Sequence, residues 1–132
     1  MRRNFLLLGL LLPTIPGPLS AQTRAETGRQ AIAAAQAQRW VQAEGLAAQA
    51  DPLVAKLVRW MRLTTRGAPA NAREVVEFIA TSPDWPMPLT LRRRAEELLA
   101  TDPDDALALR HFENNSALTL DGATRHVTAL LN

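Results

Sequence analysis

Ser82-Pro83-Asp84-Trp85-Pro86, with Leu91-Arg92-Arg93-Arg94-Ala95-Glu96 a few positions on, is the stretch that decides how this chain folds. A helix cannot run through these prolines, because each lacks an amide proton and locks its own φ. Beyond them Leu91, Ala95, Leu98 and Leu99 return at helical spacing. The stretch therefore predicts a corner at Trp85-Pro86 between two amphipathic helices.

Upstream of the corner, Asn71 with Glu74 three residues later is the pattern of a capping box. It predicts a helix burying Val75, Val76, Phe78 and Ile79. Gly67-Ala68-Pro69-Ala70 reads as a loop. Before it, Asp51-Pro52 combines an N-cap carboxylate with a proline placed where a missing N–H is harmless. Leu53, Val54, Leu57, Val58, Trp60 and Met61 form the expected inner face of the helix that follows. Lys56, Arg59, Arg62 and Arg66 lie opposite and are expected to be solvated. Nearer the N-terminus, Arg24 to about Gln38 is an alanine-rich helix, a composition that favours helix because Ala loses no side-chain entropy. A short second helix carries Trp40, Ala43, Leu46 and Ala47.

Downstream, Asp102-Pro103 repeats the Asp-Pro start and leads to Ala106, Leu109 and Phe112, with Asn114-Asn115 as the stop. Asp121-Gly122 opens a last helix with Val127, Leu130 and Leu131 expected inward. No run of alternating β-branched residues supports a strand. The expected fold class is all-α: stacked antiparallel helical hairpins forming a tetratricopeptide-like α-superhelix. Pro52 and Pro86 each open the first helix of a candidate pair, and the step from 52 to 86 matches the period of about 34 residues in such arrays.

Composition bounds the function. The chain has 132 residues, room for one small domain behind a leader. Met1-Arg2-Arg3-Asn4, the apolar run Phe5 to Leu12, the breakers Pro13, Pro16, Gly17 and Pro18, and Leu19-Ser20-Ala21 read as a signal peptide over 1–21. The apolar run is far short of the roughly 20 residues a bilayer requires. Arg2-Arg3-Asn4-Phe5-Leu6 also resembles a twin-arginine export core, so the export route stays open. The chain has no Cys, which excludes disulfides, Cys-type zinc sites and a lipoprotein anchor. Of 15 basic and 13 acidic residues the leader holds only Arg2 and Arg3, so residues 22–132 carry no net charge. That argues against a nucleic-acid partner, which calls for a basic excess. The expectation is a periplasmic helical-repeat domain over 22–132, with no stable membrane span once the leader is removed.

No catalytic constellation is legible. His111 and His126 lie far apart in sequence with no neighbouring ligand set, and zinc needs three or four converging ligands. Both are expected to be surface or helix-face histidines rather than ligands. Asp102, Asp104 and Asp105 lack the later ligands of a calcium loop and suit a helix N-terminus instead. The glycines are too scattered for a phosphate loop, and Ser20, Ser82 and Ser116 lack a nucleophile-elbow pattern. Arg92 with Glu96, and Arg93 with Glu97, stand at i, i+4, where pairing favours charged carboxylates rather than a poised acid. Glu44, Glu74, Glu77 and Glu113 also lie in expected helices. No catalytic residue, cofactor or metal is expected.

Several residues in order carry a resemblance: Arg39-Trp40 with Ala43; Asp51-Pro52-Leu53; Trp60 with Leu63; Phe78; Pro83-Asp84-Trp85-Pro86; and Arg93-Arg94-Ala95-Glu96. Asp104-Asp105-Ala106, Phe112, Leu118-Thr119, Gly122, Arg125, Ala129 and Leu130 follow. In this order they resemble the N-terminal superhelical region of soluble lytic murein transglycosylases of the alphaproteobacterial type. His111 departs, standing where that family tends to place Trp.

The resemblance implies a scaffold used in peptidoglycan turnover, with Trp85, Pro86, Arg94 and Glu96 as structural markers of the joint between helix pairs. It also implies a separate catalytic domain with a Glu-Ser and a Gly-Leu-Met-Gln stretch, neither of which occurs here. The expectation is a truncated or split, non-catalytic member with an uncapped C-terminal edge, binding peptidoglycan or a periplasmic protein. The rival expectation is a stand-alone periplasmic tetratricopeptide-like adaptor for a protein partner. An active enzyme is the third and least supported.

Overall fold

A computed structural model describes residues 18–132, so most of the expected leader lies outside the described residues. These form seven helices and no strand: α1 (Pro18–Gln36), α2 (Trp40–Ala47), α3 (Pro52–Thr64), α4 (Ala72–Thr81), α5 (Pro88–Leu99), α6 (Asp105–Glu113) and α7 (Leu120–Leu131). The fold is all-α. Helix α1 begins before the expected first helix and runs through the expected cleavage point after Ala21. None of the helices is long and apolar enough to cross a membrane.

Local chemistry explains most of the boundaries. Asp51 caps α3 by accepting from Leu53 N at 2.8 Å, with Pro52 at the first helical position. Asn71 Oδ1 accepts from Glu74 N at 2.9 Å, while the Glu74 side chain turns away to Arg62, so half of the expected capping box forms. Helix α5 starts at Pro88 rather than Pro86, and its N-cap, Met87, is left-handed at φ 60°. The cap of α6 is Asp104, two residues past the expected Asp102, and the cap of α7 is Thr119.

Helices α1 and α2 pack together, as do α4 with α5 and α6 with α7. The sequence pairing, which joined the Pro52 helix to the Asn71 helix, is thus offset by one helix. Next-but-one contacts, α1 to α3, α3 to α5 and α5 to α7, place the odd helices in one continuous row, and α4 meets α6 beside it. Helices α3, α5 and α7 start at 52, 88 and 120, steps of 36 and 32 residues.

The core falls into two clusters. The larger buries Leu63, Val75, Leu91, Leu99, Leu107 and Phe112; each such side chain contributes about 1.5–3 kcal/mol of hydrophobic stabilisation. The smaller is built from Ala31, Ala34, Ala35, Ala43 and Ala47 around Val58.

Three expected inner faces are corrected. Leu53 is exposed because the α3 stripe turns on Val58, Arg62 and Leu63. In α6 Ala106 faces solvent, while Leu107 and Ala108 are buried. In α7 Val127, Leu130 and Leu131 point outward, and Gly122, Arg125 and Ala129 point in. Arg125 tolerates burial because Nε donates to Leu99 O and Asp102 O, both at 3.1 Å, and Nη1 to Asp105 at 2.6 Å. The basic stripe of α3 is also not uniformly solvated. Arg62 is 8% exposed and binds Glu44, Glu74 and the carbonyl of Pro69. Burial opposes its charge, but hydrogen bonds and attraction from Glu74 and Glu44 outweigh that and raise its pKa.

Candidate binding cavity between α4, α5 and α6

The corner after α4 is built as a turn, Trp85 N donating to Ser82 O at 3.2 Å. Trp85 meets Phe78 edge-on at 5.6 Å and Trp60 at 6.2 Å, with Lys56 Nζ 5.1 Å from its ring centre. Trp60 Nε1 donates to Pro86 O at 2.9 Å. The corner is therefore pinned to α3 by aromatic packing and one long-range hydrogen bond.

The other two markers act elsewhere. Arg94 Nη2 donates to Ala68 O at 2.8 Å and Nη1 to Glu97 at 2.9 Å, tying α5 to the loop after α3. Glu96 is fully buried and does not pair with Arg92. It accepts from Leu118 N and Thr119 N, both at 2.8 Å, and from Thr119 Oγ1 at 2.6 Å. A carboxylate from α5 thus closes the amide end of α7, where the helix dipole favours negative charge. Thr119 Oγ1 in turn accepts from Gly122 N.

Behind the corner lies a cavity of about 450 Å3 between α4, α5 and α6. Val76, Ile79, Trp85 and Leu91 supply its apolar wall, and buried Ser82 and His111 with half-buried Arg92 its polar groups. Exposed Arg110 and Asn114 stand at its mouth. No Asp or Glu is among the residues lining it. Its size and its few convergent polar groups in an apolar wall are those of a small-molecule site.

The polar residues lining this space are short of partners. Ser82 is 6% exposed and its Oγ has no hydrogen bond within the protein. His111 is 1% exposed and neither ring nitrogen has one. Arg92 Nη2 donates to Ser116 O at 2.6 Å, but its buried Nε is unpartnered. An unsatisfied buried polar group costs about 1–3 kcal/mol, so unpaired atoms on three residues around one space are a substantial cost. Burial holds the His111 pKa below 6.5; Glu96 opposes this shift and Arg92 adds to it. At neutral pH the imidazole is therefore uncharged and offers one donor and one acceptor.

His111, expected as a surface or helix-face histidine, lies on the buried face of α6. His126 stacks on Phe112 at 4.6 Å, away from any ligand set. Asp102 accepts from Asp104 N, Asp104 from Leu107 N and Arg73, and Asp105 from Arg125 and Asn132. Asp102 and Asp104 serve the start of α6, and Asp105 ties it to α7. Among the described residues no three His, Asp or Glu side chains converge as metal ligands would. Sequence reasoning passed over Ser82, Arg92 and His111 as a group. The one available signal was that His111 follows the apolar Leu107 and Ala108 at helical spacing.

No protein-family model, curated protein or solved structure matches this chain.

Proposed function

We propose that this chain is a non-catalytic helical binding scaffold, and the cavity lined by Ser82, Arg92 and His111, each with a buried atom lacking a hydrogen-bond partner, carries that reading. The odd-helix row and the recurring 36- and 32-residue steps support a stacked-hairpin, tetratricopeptide-like superhelix. With the resemblance to the lytic transglycosylase N-terminal region, the preferred reading is a piece of the peptidoglycan-turnover machinery in the periplasm that holds wall polymer. The full chain should be retained by purified peptidoglycan sacculi above a neutral helical control; equal retention sinks the wall-binding reading.

A second reading, an adaptor for a protein partner, is favoured by the outward stripe of Val127, Leu130 and Leu131 on α7. Leu130→Lys separates the two, because it abolishes binding through α7 and leaves binding through the cavity unchanged.

A further inference from the structure

We infer that the α4–α5–α6 cavity binds a small carboxylate joined to a short apolar group. This rests on the reading of the chain as a binding scaffold and names the chemistry of its ligand. The sign of the ligand follows from the lining: Arg92 lies in the wall, Arg110 stands at the mouth, and no lining acid offsets them. The number of charges follows from there being one cation in the cavity wall, Arg92. Its Nη2 donates to Ser116 O at 2.6 Å, while its buried Nε has no partner within the protein. That donor, the Ser82 hydroxyl and one N–H of a neutral imidazole suit the two oxygens of a monoanion better than a doubly charged phosphate. The apolar body follows from Val76, Ile79, Trp85 and Leu91, which leave the rest of the space without polar partners.

Ser82 and His111 are both more than nine-tenths buried, so their free atoms are held at fixed positions rather than displayed on a mobile surface. The local structure does not consume them. Ser82 ends α4 and accepts from Trp85 N through its carbonyl, so its hydroxyl is spare. The His111 carbonyl is held by Asn115 Nδ2 at 2.7 Å and its ring packs edge-on to Phe112 at 4.9 Å, while neither ring nitrogen has a partner within the protein. A ligand carboxylate here restores hydrogen bonds that folding leaves unmade.

Two sources share this chemistry, a short fatty acid and an acylated amino acid at a peptide C-terminus. Hexanoate and N-acetylvaline are the respective probes, with hexanol, hexylamine and inorganic phosphate as controls. The full chain is titrated while the Trp85 indole resonance is followed by NMR and the heat by calorimetry. At least one carboxylate should saturate at concentrations up to about 10 mM. Hexanol, hexylamine and phosphate should each bind at least about tenfold more weakly. Arg92→Gln should lower affinity about tenfold or more, and Ser82→Ala several-fold, as expected for a lost charged and a lost neutral hydrogen bond.

Ser82→Ala also guards against a purely structural role. Its hydroxyl bonds nothing in the protein, so the variant should keep or raise its melting temperature while losing affinity. Binding of hexanol as tight as that of the carboxylates, or no saturable carboxylate binding, overturns the inference. So does Ser82→Ala or Arg92→Gln binding unchanged in folded protein. Retention on sacculi with no carboxylate binding overturns this inference alone; carboxylate binding without sacculus retention overturns the wall reading and upholds this one.

Discussion

Gly122 lies against Glu96, and Gly122→Ala therefore tests whether a buried carboxylate holds the start of α7. A Cβ at 122 would stand 2.5 Å from Glu96 Cδ and 2.8 Å from its Cγ, well inside the ordinary carbon contact of about 3.5–4.0 Å. Elsewhere the end of a Glu side chain would swing aside cheaply. Here it is fully buried and accepts from Leu118 N, Thr119 N and Thr119 Oγ1, so making room means breaking the closure of α7. Two backbone hydrogen bonds to a carboxylate, at about 1.5–3 kcal/mol each, set the loss near 3–6 kcal/mol. The helix propensity of Ala over Gly returns about 1 kcal/mol. The expected net destabilisation is about 2–5 kcal/mol, a large share of the 5–15 kcal/mol typical of a folded domain. Urea unfolding followed by circular dichroism reads it as a lower midpoint at unchanged slope. In a Glu96→Ala background the same substitution should be neutral or stabilising, because the obstacle is gone. A Gly122→Ala protein more stable than the parent by about 1 kcal/mol, as propensity alone dictates, would refute the reasoning.

Arg62→Ala strips the partner from half-buried Glu74 and from Pro69 O; a loss of about 3–5 kcal/mol in chemical unfolding is expected for a broken buried pair, with Arg62→Met milder. His111 gives a pH signature. Its folded pKa lies below 6.5, so on acidification the unfolded chain takes up this proton first. Its stability contribution is whole above about pH 6.5 and falls on acidification until the folded pKa is passed, no more steeply than about 1.4 kcal/mol per pH unit. Asp105, held low first by its hydrogen bond to Arg125, loses its contribution only below pH 3.8, outside that window. Equal melting-temperature losses for the parent and His111→Gln between about pH 7 and pH 5.5 would contradict a buried neutral imidazole. Gln38, exposed at φ 56° just past α1, should gain up to about 1 kcal/mol on replacement by Gly, checked by the same unfolding assay.

The sequence made the helices legible where a signal was local. Asp51-Pro52 and Asn71 cap as their side chains dictate, and Val75, Val76 and Phe78 are buried as their spacing predicts. The helical phase failed where burial depends on a distant partner. Periodicity places Val127, Leu130 and Leu131 inside because they are apolar, whereas α7 turns Arg125 inward to reach carbonyls at Leu99 and Asp102. Arg62 reads as one member of a basic stripe until Glu44 and Glu74, from other helices, arrive to neutralise it. The cavity was illegible for the same reason. Ser82, Arg92 and His111 belong to three different segments, and only the packing of α4, α5 and α6 brings them together.

The two core clusters differ in what they bury, and that sets the order in which the chain comes apart. Glu96 closes the amide end of α7 while Arg125 from α7 closes the carbonyl end of α5, so neither helix can leave without stranding a buried charge. The buried hydrophobic residues that α1 and α2 bring against α3 are all alanines, which surrender little apolar surface when they separate, with half-buried Trp40 and Leu46 beside them. Native-state hydrogen exchange should therefore show the amides of α1 and α2 opening sub-globally, ahead of those of α5 and α7. The molecule would fray from its alanine-rich side, and the chamber behind Trp85 would be among the last parts to lose its shape.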